Sequence, residues 1–255
     1  MRRLIKYVWM DILRNRIVVA YTIFLLVISF SLFNLDENVS KGIVSLLNII
    51  LLIVPLISVI FCTIYYYNSS EFIELMLSQP VRRSTILFSI YLGLSFAFLI
   101  AITIGIGIPV FIYSPNATGL TLYLIACALS LCFNAIACLA SVYTNDKARG
   151  IGVSILLWFY FAIIYDGLVL FILFSFNDYP MEKITIVLST LNPVDLGRIL
   201  ILLQLDSAAL MGYTGAVFEE FFGSYFGLIL SAMILCLWIV IPVLLALRKF
   251  VRKDL

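Results

Sequence analysis

Six apolar runs separated by short polar stretches dominate the chain, near residues 17–35, 43–67, 86–113, 120–143, 151–176 and 225–247. A helix needs about 20 residues to cross about 30 Å of hydrocarbon, so each run is long enough to span a membrane. The third and fifth are the longest and are expected to tilt or extend past the bilayer. The pattern predicts an all-α polytopic membrane protein, one transmembrane domain over residues 1–255 with six transmembrane helices. Between the second and third runs, "EFIELMLSQPVRRST" (71–85) carries two carboxylates, a Gln-Pro break and an Arg pair. Asn68 or Ser70 can cap a helix there, with Glu71 in its first turn complementing the dipole. Glu71, Glu74 and Ser78 then share one face and Phe72, Leu75 and Met76 another. Gln79 and Pro80 end it, because proline cannot continue a helix.

Two further segments break the alternation. In residues 1–16, Ile5, Val8, Trp9 and Ile12 recur at helical spacing, opposite Arg2, Arg3, Lys6 and Arg14. That pattern predicts a helix lying along the membrane surface, the alternative being a basic flank that only sets topology. Residues 177–224 are too polar and interrupted for two ordinary spans. They are read as re-entrant or interfacial helices before the last span, with Asp195 and Asp206 as candidate caps. Irregular backbone at such depth is tolerated only against protein or a wet cavity.

Composition agrees with the membrane reading: 64% of the 255 residues are hydrophobic, 12% are charged, and the mean hydropathy is +1.17. Placement of charge says more than the net +2. The N-terminus (Arg2, Arg3, Lys6, Arg14, Arg16), the 68–85 loop (Arg82, Arg83), the 144–150 loop (Lys147, Arg149) and the C-terminus (Arg248, Lys249, Arg252, Lys253) lie on one side. The other side holds Lys41, Lys183 and Arg198. By the positive-inside rule both termini are expected in the cytoplasm of a bacterium, the chain sitting in its inner membrane. The basic start lacks a small-residue cleavage site and reads as topology-setting rather than as a removable signal.

Candidate chemistry is sparse. The chain has no histidine and no G-x-x-x-x-G-K-[ST] motif, so it offers no Ser-His pair and no phosphate-cradling loop. Cys62, Cys127, Cys132, Cys138 and Cys236 all fall within spans; Cys127 and Cys138 share a face but lie roughly 16 Å apart along the axis. They are read as small packing residues, and no metal site is expected. Asp166 is the one acidic residue inside a span, where a lone carboxylate costs about 2.5–3.5 kcal/mol. Beside Tyr160 and Tyr165, it either lines a polar translocation path or is simply hydrated near the outer interface. A second carboxylate to share a proton is missing from the spans, so intramembrane proteolysis is not supported.

With "EFIELMLSQPVRRSTIL" after the second span, a basic amphipathic start and a helical outer segment before the sixth, the chain resembles an ABC-2 type permease. That resemblance implies a coupling helix over 68–85 (Glu71, Phe72, Glu74, Leu75, Met76, Gln79, Pro80) gripped by a cytosolic ABC ATPase. It also implies a second, shorter contact in "TNDKARG" (144–150), around Asp146 and Lys147. ATP and Mg would then belong to the ATPase, no cofactor to this chain, and the permease would work as a homodimer. A narrower resemblance lies in "LNPVDLGRILILLQLDSAALMGYTGAVF" (191–218), which is similar to NosY-type permeases of nitrous-oxide reductase maturation. It implies a NosF-like ATPase, a periplasmic NosD-like partner docking around Asn192, Pro193, Asp195 and Arg198, and a role in copper–sulfur cluster assembly. A generic small-molecule or lipid exporter and a non-transporting scaffold are the alternatives; membrane lipid is a partner in every case, nucleic acid in none.

Overall fold

A computed structural model describes residues 8–12, 14–35, 38–79, 81–176, 182–205 and 225–252. Pro80, Asp206 and the basic residues of 1–7 lie outside that set. In chain order the helices are α1 (Arg16–Leu35), α2 (Val39–Asn68), α3 (Ser70–Leu77) and α4 (Arg83–Ile102). A π-helical turn, Thr103–Gly107, carries α4 on into α5 (Ile108–Tyr113). Then come α6 (Ala117–Tyr143), α7 (Lys147–Phe159), a second π turn at Tyr160–Ile164, and α8 (Tyr165–Ser175). Helices α9 (Glu182–Thr190), α10 (Pro193–Gln204) and α11 (Tyr225–Val251) complete the fold.

Six stretches are long and apolar enough to cross a membrane: α1, α2, α4–α5, α6, α7–α8 and α11. They match the six runs of the sequence. The two longest runs are also the two that contain π turns, so their extra length is partly taken up by widened helix rather than by overhang. Helices α9 and α10 meet at a 114° bend. By length and composition the pair is a broken span or a re-entrant loop, and a bend that sharp suits the latter.

Span four, α6, is the axle of the bundle: α2, α4, α7, α10 and α11 all pack on it. Its buried face is built from small and hydroxyl residues, including Gly119, Ala126, Ser130, Ala137 and Ser141. Small side chains let helix backbones approach closely, which supplies the packing that water would otherwise drive. Residues spaced four apart on α2 meet residues spaced four apart on α6. Ser58 and Ser130 hydroxyls bond at 3.1 Å, and the Cys62 thiol donates to the Asn134 carbonyl at 3.5 Å. The Tyr67 hydroxyl closes the seam by donating to the Ser141 carbonyl at 3.4 Å.

Residues 8–12, α3, the 144–150 loop and the last turn of α11 gather at one end of the bundle, here the terminal face. Residues 8–12 are helical, and one side of them turns inward against the bundle. Val8 and Ile12 are fully buried, and Val8 presses on Gly93 of α4, where an added Cβ would stand 2.9 Å from the valine Cβ. Asp11 accepts a hydrogen bond from the Tyr65 hydroxyl at 3.1 Å. The periodic face was real, but a glycine-floored groove in the bundle claims it before lipid can. Replacing Gly93 with Leu should therefore expel residues 8–12 and cost about 1–3 kcal/mol of stability. A lower unfolding temperature in detergent, with faster tryptic cleavage at Arg14, is the expected readout.

Candidate functional site

The terminal face carries the first site. Helix α3 follows α2 after a single residue, Ser69, which caps it without a side-chain hydrogen bond; Asn68 and Ser70 do not fill that role. Ile73 is buried, Met76 and Leu77 pack on the core, and Phe72 is half-buried. Glu71, Glu74, Leu75, Ser78 and Gln79 are exposed. The inward face therefore centres on Ile73, while Leu75, read from spacing as part of an apolar face with Phe72 and Met76, sits with the carboxylates at 65% exposure.

Across from α3, residues 145–149 are exposed, with Asp146 and Lys147 among them. The two segments are tied together. Lys147 Nζ donates to Asn68 Oδ1 at 2.7 Å, and the Tyr67 hydroxyl donates to the Thr144 carbonyl at 3.2 Å. Gly150 sits so close under the Tyr67 ring that any side chain there would collide with it. The predicted contacts at 71–79 and 146–147 thus form one continuous surface, mixed in charge and with one exposed leucine. Deeper in, the Thr63 and Ser154 hydroxyls bond at 2.8 Å, so α2 and α7 leave this surface joined.

The second site lies towards the opposite end, where three departures from regular helix meet. Pro55 in α2 removes the N–H that would bond the Leu51 carbonyl and loosens the turn around it. Trp158 Nε1 reaches across from α7 and donates to the next carbonyl, Leu52, at 3.2 Å. Just beyond Trp158, the π turn widens span five; such turns are rare and recur at functional sites. The third departure is the α9–α10 bend, and Asn192 joins it to the second. Its Oδ1 accepts from Val194 N at 3.0 Å, capping α10, while Nδ2 donates to the Phe161 carbonyl of the π turn at 2.9 Å.

Around this junction the charges collect. Arg198 Nη1 donates to Asp166 Oδ2 at 2.7 Å and stands 3.6 Å from Asp195 Oδ1 on its own helix. The longer distance is no hydrogen bond, and Asp195 Oδ1 is buried without one. Burial first, then the neighbouring Asp166 carboxylate, push the Asp195 carboxyl well above the ordinary carboxylate range. The Tyr165 hydroxyl donates to the Leu188 carbonyl of α9 at 2.6 Å. A cavity of about 180 Å³ adjoins the cluster, lined by Asn48, Leu51, Leu52, Ala162, Val194 and Arg198.

Asp166 is thus paired with Arg198 and keeps part of its side chain exposed. The signal for its partner was Arg198, one of three basic residues on the side poor in Lys and Arg. Spacing could not join positions 32 residues apart. Asn192, Pro193 and Asp195, expected as a docking surface, are buried within the bundle, and only Arg198 keeps part of its side chain exposed. Trp158 had no signal at all, since its role depends on a proline in another helix. Among the described residues no three His, Cys, Asp or Glu side chains come together as metal ligands. Cys62 and Cys132 instead bond backbone carbonyls.

Comparison with known proteins follows this geometry. A search of curated proteins finds no match to the chain. The profile of the family described as "ABC-2 family transporter protein" matches residues 5–255. Members are membrane subunits, and membership implies a separate ABC ATPase as partner. With the match running almost end to end over a six-span helical bundle, the chain belongs to the ABC-2 transporter family.

Proposed function

We propose that the chain is the permease subunit of an ATP-driven transporter, working as a homodimer with a NosF-like ATPase on its terminal face. The observation that carries this reading is the fusion of α3 with residues 144–150 into one exposed surface. A motor that grips it pulls on α2 and α7 together, since each gripped segment runs straight into one of those helices. The positive charge on that face supports a cytoplasmic orientation for it, with the chain in a bacterial inner membrane. Span five supports a homodimer: Leu156, Phe171 and Phe174 are exposed along it, a bare face suited to lipid or to a second copy.

Glu71→Lys together with Glu74→Lys should cut ATPase recovered with the tagged permease at least about tenfold, which corresponds to about 1.4 kcal/mol. Both side chains are exposed, so the unfolding temperature should hold. Undiminished co-purification and ATPase stimulation would refute the docking surface.

Within this class we favour a NosY-like role, in which the permease moves a sulfur-containing species or works a periplasmic NosD-like partner during copper–sulfur cluster assembly. The similarity of 191–218 to that group supports it. Burial of Asn192, Pro193 and Asp195 favours the second reading, a generic small-molecule or lipid exporter, because buried residues leave less surface for a partner. DNA flanking the gene separates the two. The NosY-like reading expects frames for a P-loop ATPase and a periplasmic repeat protein, whereas an ATPase frame alone supports the generic exporter.

A further inference from the structure

We propose that Asp195 is a proton-binding site whose occupancy decides which carboxylate holds Arg198, and so whether the α9–α10 bend is tied to span five. The switch involves only the chain's own charges and operates for any cargo.

The geometry is that of one guanidinium between two carboxylates. Nη1 of Arg198 is 2.7 Å from Asp166 on α8 and 3.6 Å from Asp195, three residues back on α10. The first contact crosses between elements; the second stays within one helix. A small change of the arginine rotamer exchanges one for the other. With a proton on Asp195 the carboxyl is neutral, it does not compete, and the bridge to Asp166 holds α10 against span five. Without the proton, Asp195 is an ionised carboxylate, buried to 8% exposure, whose Oδ1 has no hydrogen-bond donor. Among the described residues the cation beside it is Arg198, and drawing it in breaks the ionic link to span five. The departing proton passes to water in the adjoining cavity, which is large enough to hold several molecules and is lined by Asn48 and Arg198 as polar partners.

Among the described residues no other charge is placed beside the switch; Lys41 of α2 belongs to that helix's first turn, two turns from Asn48. The elements packed on α10 are α2, α6, α9, α11 and the π turn of span five. From span five come Asp166, Tyr165 and Tyr160, and Tyr165 is already bonded to Leu188. Helix α2 contributes the neutral Asn48, and α6 contributes Ile125 and Leu129. The charged residues of α9, Glu182 and Lys183, belong to its first turn, two turns from the bend. Those of α11, Arg248 and Lys249, belong to its last turn, at the terminal face.

The sign follows from the upward displacement of the Asp195 carboxyl. The docked state binds a proton on Asp195 that the released state gives up, so docking is strongest at the acid end of the range in which the Asp166 carboxylate is charged. It is lost as pH rises towards the raised value, by up to about tenfold per unit, and then levels off.

The test follows amide hydrogen exchange of residues 185–204 in the full chain, in lipid nanodiscs with its ATPase, between about pH 4 and 9. Rates are corrected for intrinsic exchange. Wild type should lose protection as pH rises. Asp195→Asn, which mimics the protonated acid, should stay protected throughout, while Asp166→Asn should be unprotected throughout. A flat wild-type profile, or an Asp195→Asn variant that keeps the wild-type pH dependence, overturns the proposal. If Asp195→Asn fails to assemble, pH-difference infrared spectra of wild type decide. A protonated-carboxyl band that disappears as pH rises through neutrality supports the site, and its absence sinks it.

Discussion

In hydrocarbon a backbone amide or carbonyl that loses its helical partner finds no water to replace it, and each costs several kcal/mol. This chain departs from regular helix at Pro55, at Thr103–Gly107, at Tyr160–Ile164 and at the α9–α10 bend. Side chains brace three of the four: Trp158 bonds the Leu52 carbonyl beside the proline turn, and Asn192, itself in the bend, caps α10 and bonds the Phe161 carbonyl of the second π turn. Those side chains fix where α2, span five and the re-entrant pair meet. The cavity and the Asp166–Arg198 pair sit where they do because these irregular turns are stitched to one another.

The same stitching gives a contiguous physical route from the terminal face to the bend. Residues 67 and 68 join the 144–150 loop, Thr63 joins Ser154 one turn further in, and Trp158 joins the Pro55 turn beyond that. Phe161 follows, packed edge-on against Trp238 at 5.2 Å and Phe133 at 6.2 Å, with Asn192 on its carbonyl. Helices α2 and α7 are therefore held at several heights and move as a pair. A pull on α3 or on residues 144–150 reaches the same two helices, which is the mechanical meaning of a fused coupling surface.

Hydropathy made the six spans legible because span length is a property of one helix and one solvent. It also made the bend legible in outline, from Asn192-Pro193 and the polar interruptions around it. What stayed hidden was every feature defined by two distant segments. Spacing put Leu75 with Phe72 and Met76, yet α3 turns Ile73 inward, because the angle at Ser69 sets the helix rotation and periodicity does not. Val8 and Ile12 were rightly grouped, but nothing in that stretch could show that Gly93 leaves them a groove in protein rather than a berth in lipid. Pro193 and Asp195 looked like surface for the same reason: a polar loop and a polar anchor within the bundle read alike in one dimension.

The Asp166–Arg198 pair shows why such an anchor is retained. An ion pair in a low-dielectric setting gains little net stability, since desolvating both charges offsets most of their attraction, while removing one partner leaves the other stranded. Two apolar side chains would hold α10 to span five at least as well. They would hold it permanently, however, with no state in which the contact is undone. A guanidinium shared between Asp166 and Asp195 can change hands, and the carboxylate it leaves on release, Asp166, is the more exposed of the two and open to water. A transporter must pass between conformations, and for a helix pair that has to be both docked and releasable, a polar contact of modest net strength serves better than a strong apolar one.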